Sequence, residues 1–282
     1  MKQGVKTPYD EVRVGKLKDL EPSASGSLEA EDLARRLFRG KREQCACVER
    51  LAGICDKAKN KDFLIIHNPG GWGGSELGEC LEWEQSIVKG VSATVEKLGY
   101  SWLLMQYFRG GSSWWAHTLD MREQLRFFFE GQSSMATALA AELGFIARRL
   151  EKLNIVLVGV SQGAAFSNAV MRQLNGLHRV YSIELGLFFP HMSRRVITER
   201  TLAIDSNGVM PDPVAQRNLK VGFEAYITAP GRWIKYRWQG KPQKLSYCIN
   251  VPGHDYSWEY IEVCGRVEHF FRTNFGEKEV GI

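Results

Sequence analysis

The chain has 282 residues, 44% of them hydrophobic and 24% charged, which excludes a disordered protein and predicts one large globular domain with extensions. A net charge of +5 is too small to mark a nucleic-acid binder, and the six cysteines, at 45, 47, 55, 80, 248 and 264, have neither the density nor the spacing of a disulfide scaffold. No run reaches the roughly 18 apolar residues of a membrane span, and the charged start lacks a signal-peptide core, so a cytoplasmic protein is expected.

Residues 1–60 are polar, and "SLEAEDLARRLFRGKREQCACVERLAGICDKAKN" places Leu33, Leu37, Cys47, Leu51 and Ile54 at helical spacing. This predicts an N-terminal helical extension. Within it, Cys45, Cys47 and Cys55 form a C-x-C-x7-C pattern that lacks a fourth ligand, so no metal is expected. From residue 61 to 282 the pattern changes. Short β-rich runs appear at 62–67 ("DFLIIH"), 101–108, 154–160 ("NIVLVGV"), 179–185, 201–205 and 244–251 ("KLSYCINV"). Amphipathic helical patterns fall at 81–99, 134–153, 163–174 and 260–275. Near-continuous apolar strands separated by helices predict an α/β fold, a mostly parallel doubly wound sheet with helices on both faces. Insertions fall near 108–131 and 213–244.

The stretch "NIVLVGVSQGAAFSNAV" (154–170) runs a strand into Gly-Val-Ser-Gln-Gly and then into a small-residue helix. In an open parallel sheet the carboxyl ends of the strands collect reactive groups, and Ser161 sits at such an end. Gly159 and Gly163 would avoid Cβ clashes in a turn this tight, and the helix N-terminus would stabilise an oxyanion through the Gln162 N–H. By chance alone the G-x-S-x-G pattern arises roughly 0.2 times in such a chain, so its strand-to-helix context carries the argument.

A serine hydroxyl needs a base, and the base needs an acid to orient it; in this arrangement both follow the serine on later loops. "INVPGHDYSWEY" puts His254 between the last predicted strand and the last helix, making it the candidate base. His178 and His191 precede the expected acid, His117 lies in an insertion, His269 lies within the final helix, and His67 is placed to shape the neighbouring glycine loop. For the acid, "TLAIDSNGVMPDPV" offers Asp212 and Asp205, with Glu184 as a third candidate. The second oxyanion donor is expected from "HNPGGWGG". Pro69 has no N–H, which leaves Gly70 or Gly71.

Taken together, "HNPGGWGG", "GVSQG", "DSNGVMPDPV" and "PGHDYSW" resemble the α/β-hydrolase superfamily over roughly residues 62–275. The resemblance implies an α/β-hydrolase fold, a Ser161–His254–Asp212 triad, an oxyanion hole from Gln162 and Gly70, and no cofactor. It further implies hydrolysis of a carboxylic ester or thioester through an acyl-enzyme, as in esterases, lipases and thioesterases. Two features depart from the family: no pair of antiparallel strands precedes residue 62, and a proline stands in the oxyanion loop.

The partner expected is therefore a small-molecule acyl substrate, with no nucleic acid. Trp114 and Trp115, in the first insertion, are placed to cover the site. "APGRWIKYRWQGKPQK" (229–244) interleaves Arg232, Lys235, Arg237, Lys241 and Lys244 with Trp233, Tyr236 and Trp238. It reads as an amphipathic surface element with its aromatic anchors packed inward, and peripheral contact with an anionic or lipid surface is among its candidate roles. Two other classes compete: a non-catalytic ligand-binding protein retaining the hydrolase scaffold, and a nucleotide binder using "NPGGWGGSELG" as a phosphate cradle. The cradle lacks both the Gly-Lys-Ser/Thr ending and the Gly-x-Gly-x-x-Gly spacing.

Overall fold

A computed structural model describes residues 24–71, 76–109, 126–174, 176–240 and 251–278. Trp114, Trp115, His117, Lys241, Lys244, and all but the last residue of the strand expected at 244–251 lie outside the described residues. The elements are α1 (Ala24–Leu37), α2 (Lys41–Ala58), β1 (Phe63–Asn68), α3 (Glu82–Lys97), β2 (Trp102–Gln106) and α4 (Ser134–Arg149). They continue with β3 (Asn154–Val160), α5 (Gln162–Met171), β4 (Val180–Leu185), β5 (Thr201–Ile204), α6 (Leu219–Trp238) and α7 (Ile261–Phe275).

The five strands form one sheet in the order β2-β1-β3-β4-β5, every neighbouring pair parallel. Successive side chains on a strand point to opposite faces, and the core divides accordingly. Leu64, Ile66, Ile155 and Leu157 face a cluster with α1, α2, α4 and α5. Phe63, Ile65, Val156, Val158 and Ile183 face a second cluster with Ile87, Val91 and Val95 of α3 and Val263, Val267 and Phe271 of α7. Both faces of β1 and β3 are therefore covered, which is why these strands read as unbroken apolar runs. The described chain is α/β and doubly wound.

The N-terminal helices are part of this core. Ala30, Leu33 and Ala34 of α1 and Cys47, Leu51 and Ile54 of α2 are buried in the same cluster as Leu139 and Leu143 of α4. A partly buried ion pair between Arg50 and the buried Glu142 fastens α2 to α4. Cys47 lies beside Glu142, and burial first, then that carboxylate, pushes its thiol up to about 11. Ser133 caps α4 by accepting the Ala136 N–H at 3.2 Å, close to the start expected from the pattern.

One helix was not anticipated from periodicity. α6 spans 20 residues and runs through Pro230, whose ring removes one intrahelical donor. The sequence there predicts a surface element with aromatic anchors packed inward, whereas Trp238 stands 87% exposed at the end of the helix, which continues through the proline and Gly231 that ordinarily break one. Among the described residues, no helix is long and apolar enough to cross a membrane.

Candidate active site

The strand order sets where a site can form. β1 and β3 are neighbours, while the chain leaves β1 toward β2 on one side and leaves β3 toward β4 on the other. Connections that diverge in this way open a crevice beyond the carboxyl ends of the two strands. The loop after Asn68 and the turn at Ser161 face each other there, since Asn68 pairs with Gly159 across the sheet.

Ser161 has φ 54 and ψ −115, a left-handed conformation that costs a side-chain-bearing residue on the order of 1–3 kcal/mol. The fold holds it there. Its N–H donates to Leu185 O at 2.8 Å, and its carbonyl accepts the Ala165 N–H at 3.1 Å. Its side chain does not cap α5, so the first N–H groups of the helix, beginning at Gln162, keep no intrahelical acceptor. Both flanking glycines are sterically required. A Cβ on Gly159 would lie 2.4 Å from Gly163 O, and a Cβ on Gly163 would lie 2.0 Å from Asn68 O. The first glycine lets the strand fold back against its own helix, and the second seats that helix on the β1 loop.

Of the three candidate acids, Asp212 is the one placed beside His254. Its Oδ2 accepts from His254 Nδ1 at 2.7 Å and from the Tyr256 hydroxyl at 2.6 Å. Its Oδ1 accepts the N–H of Val214 at 2.7 Å and of Ala215 at 3.4 Å. The carboxylate is completely buried and fully hydrogen-bonded, the condition under which a buried charge is tolerable. Because Asp212 only accepts, the proton of His254 sits on Nδ1 and the lone pair is left on Nε2. Burial, then the Asp212 charge, pushes the Tyr256 phenol far up, so it stays a donor. Asp205 and Glu184 are engaged elsewhere: Arg195 bonds Asp205 at 2.6 Å and Glu184 at 2.9 Å.

Gly186 connects this pair to the serine. It follows Leu185, whose carbonyl receives the Ser161 N–H, and it has φ 56. A Cβ there would stand 2.6 Å from Tyr256 Cε2, 2.7 Å from Asp212 Oδ2 and 2.9 Å from His254 Cε1. Only a glycine lets the acid, the imidazole and the tyrosine close on the tip of β4, next to Ser161. Neither Gly186 nor Tyr256 was singled out from the sequence; the signal available was a glycine directly after an apolar strand. Among the described residues, no hydrogen bond joins the Ser161 hydroxyl to His254. Such bonds are often long before substrate binds.

The expected oxyanion donor Gly70 requires correction. Its N–H donates to Glu84 Oε1 at 3.0 Å, and the same oxygen takes His67 Nε2 at 3.0 Å. The buried carboxylate comes from α3, an element 14 residues along the chain, so nothing in the loop itself signals it. The adjacent alternative, Gly71, turns with φ 54. Arg109, also missed, anchors the loop from below by donating from Nη2 to Pro69 O at 2.5 Å and to Gly71 O at 3.0 Å. It is fully buried against the Phe166 ring, 5.4 Å from its centroid, and burial pushes it down to about 10.

The remaining histidines described have other environments. His191 is buried and stacks on Phe127 at 4.5 Å; burial, then Arg194, Arg172 and Arg109, pushes it down to about 4. His67, Cys80 and Glu84 bring donor atoms within 4.8 Å of one another, the one group of metal-ligand chemistry among the described residues. Its His67–Glu84 contact is the one that also fixes the Gly70 amide. No protein-family model matches the chain, and no curated protein matches it in sequence.

Proposed function

We propose that the protein is a serine hydrolase of the α/β-hydrolase type, acting on a carboxylic ester or thioester. The observation that carries this reading is the buried Asp212–His254 pair at the β4 tip, closed by Gly186 onto the strand whose carbonyl holds the strained Ser161. The sheet order and the G-x-S-x-G turn support it, and Asp212 and His254 follow the serine in the order such a triad takes.

In this reading His254 Nε2 takes the proton of the Ser161 hydroxyl as Oγ attacks the acyl carbon. Asp212 keeps the ring in the required tautomer and stabilises the imidazolium that forms. The tetrahedral oxyanion is held by the Gln162 N–H at the start of α5 and by the Gly71 N–H, which replaces Gly70. Collapse expels an alcohol or thiol that takes the proton from His254. Water, activated by the same imidazole, then attacks the acyl-Ser161 ester and releases the acid. The substrate is a small acyl compound, and the chemistry on these residues needs no cofactor.

A fluorophosphonate probe tests this directly. Wild-type protein is expected to be labelled covalently and Ser161→Ala is not; equal labelling of the two proteins overturns the assignment. The second reading, a ligand-binding protein on the same scaffold, is favoured by the engagement of Gly70 with Glu84. A wild type that resists the probe yet binds a small ligand selects it.

A further inference from the structure

We propose that α6 is a docking element for an anionic lipid surface, independently of any hydrolytic activity. The helix has two apolar faces. Ala225 and Ala229, one turn apart, are buried against the rest of the chain at 3% and 2% exposure. At 100° per residue, Ile227, Ile234 and Trp238 fall together on the opposite face. They are 62%, 46% and 87% exposed. A helix apolar on both sides is ordinarily covered on both; here one side faces outward.

Charge identifies the occupant. α6 carries Lys220, Arg232, Lys235 and Arg237 against the single carboxylate Glu224. Lys235 and Arg237 are exposed and flank the Ile234–Trp238 face on either side. Arg237 also lies over the Trp233 ring, 5.4 Å from its centroid, which holds its charge at the helix surface. Aliphatic side chains entering the acyl boundary, a tryptophan at the headgroup level and cations beside the phosphates are how an interfacial helix binds. The two isoleucines decide against single-stranded nucleic acid, which binds by stacking bases on aromatic faces.

The helix lies between Asp212 and His254 in the chain.

The test is co-sedimentation of the full chain with phosphatidylcholine vesicles, with and without phosphatidylserine. Wild type is expected to pellet with the anionic vesicles, less so as salt rises. Ile227→Asp combined with Ile234→Asp should weaken binding at least about tenfold. Lys235→Glu combined with Arg237→Glu should weaken it by a similar factor and remove the salt dependence. These residues are exposed, so both variants should keep the wild-type melting temperature. Three outcomes overturn the proposal. One is wild type remaining in the supernatant, and a second is variants that bind as wild type does. The third is light scattering showing a dimer that the isoleucine variant dissociates, which assigns the face to a second copy. Loss of vesicle binding with intact probe labelling separates this proposal from the hydrolase reading.

Discussion

At the scale of single residues, the site depends on one carboxylate being available and two others being occupied. Asp212 is bonded to His254 and Tyr256, whereas Asp205 and Glu184 share Arg195. Replacing Asp212 by Asn keeps the shape but favours the wrong imidazole tautomer. A loss of about 10³- to 10⁴-fold in the rate of ester hydrolysis or probe labelling is expected. Asp205→Asn should change that rate less than about threefold while lowering stability, since the buried Arg195 then faces one carboxylate instead of two. A large kinetic effect at Asp205 instead of Asp212 would reverse the assignment. Ser161 was legible in the chain because it ends an apolar strand with a glycine two places to either side, and His254 because it follows Gly253 just before the last helix. The choice among acids was not, because all three candidates end strands or turns and differ only in what lies across from them.

At the scale of elements, α1 and α2 behave as a layer of the core. Leu51 of α2 is completely buried in the cluster that includes Leu139, Leu143 and Leu157. Leu51→Ala is expected to cost about 2–5 kcal/mol, as deletion of a core leucine does. Chemical denaturation measures it, and a change below about 1 kcal/mol would mean that α2 packs only as a peripheral arm. The helical spacing of residues 33–54 was readable in advance, but periodicity reports only that a helix has an apolar face. It does not report which element that face meets. α6 shows the converse: Pro230 and Gly231 break the local pattern, yet Asn218 caps the start and the buried alanines tie the helix down.

For the whole molecule, His191 links folding to pH. An unfolded histidine takes a proton near 6.5, while burial beside Arg194, Arg172 and Arg109 lowers the folded value to about 4. Between those values the unfolded chain binds more protons, so stability falls as pH drops through the window and is fully present above about 6.5. The contribution lost is up to about 3 kcal/mol. His191→Phe, which can keep the stack on Phe127, should flatten the stability curve between pH 4 and 6.5. Denaturant midpoints across that range measure the effect, and parallel curves for the two proteins would exclude His191 as the cause.

Local order along the chain determined the strands, the helices between them and the serine turn, because steric and hydrophobic periodicity act between residues a few positions apart. Those interactions are written in the sequence directly. Only the tertiary structure decided that Asp212 faces His254, that Glu84 engages the Gly70 amide, that Arg109 lies beneath the loop and that Gly186 closes the site. Each of these depends on two segments meeting across the sheet or between layers. Packing and buried hydrogen bonding, rather than spacing, select such a meeting.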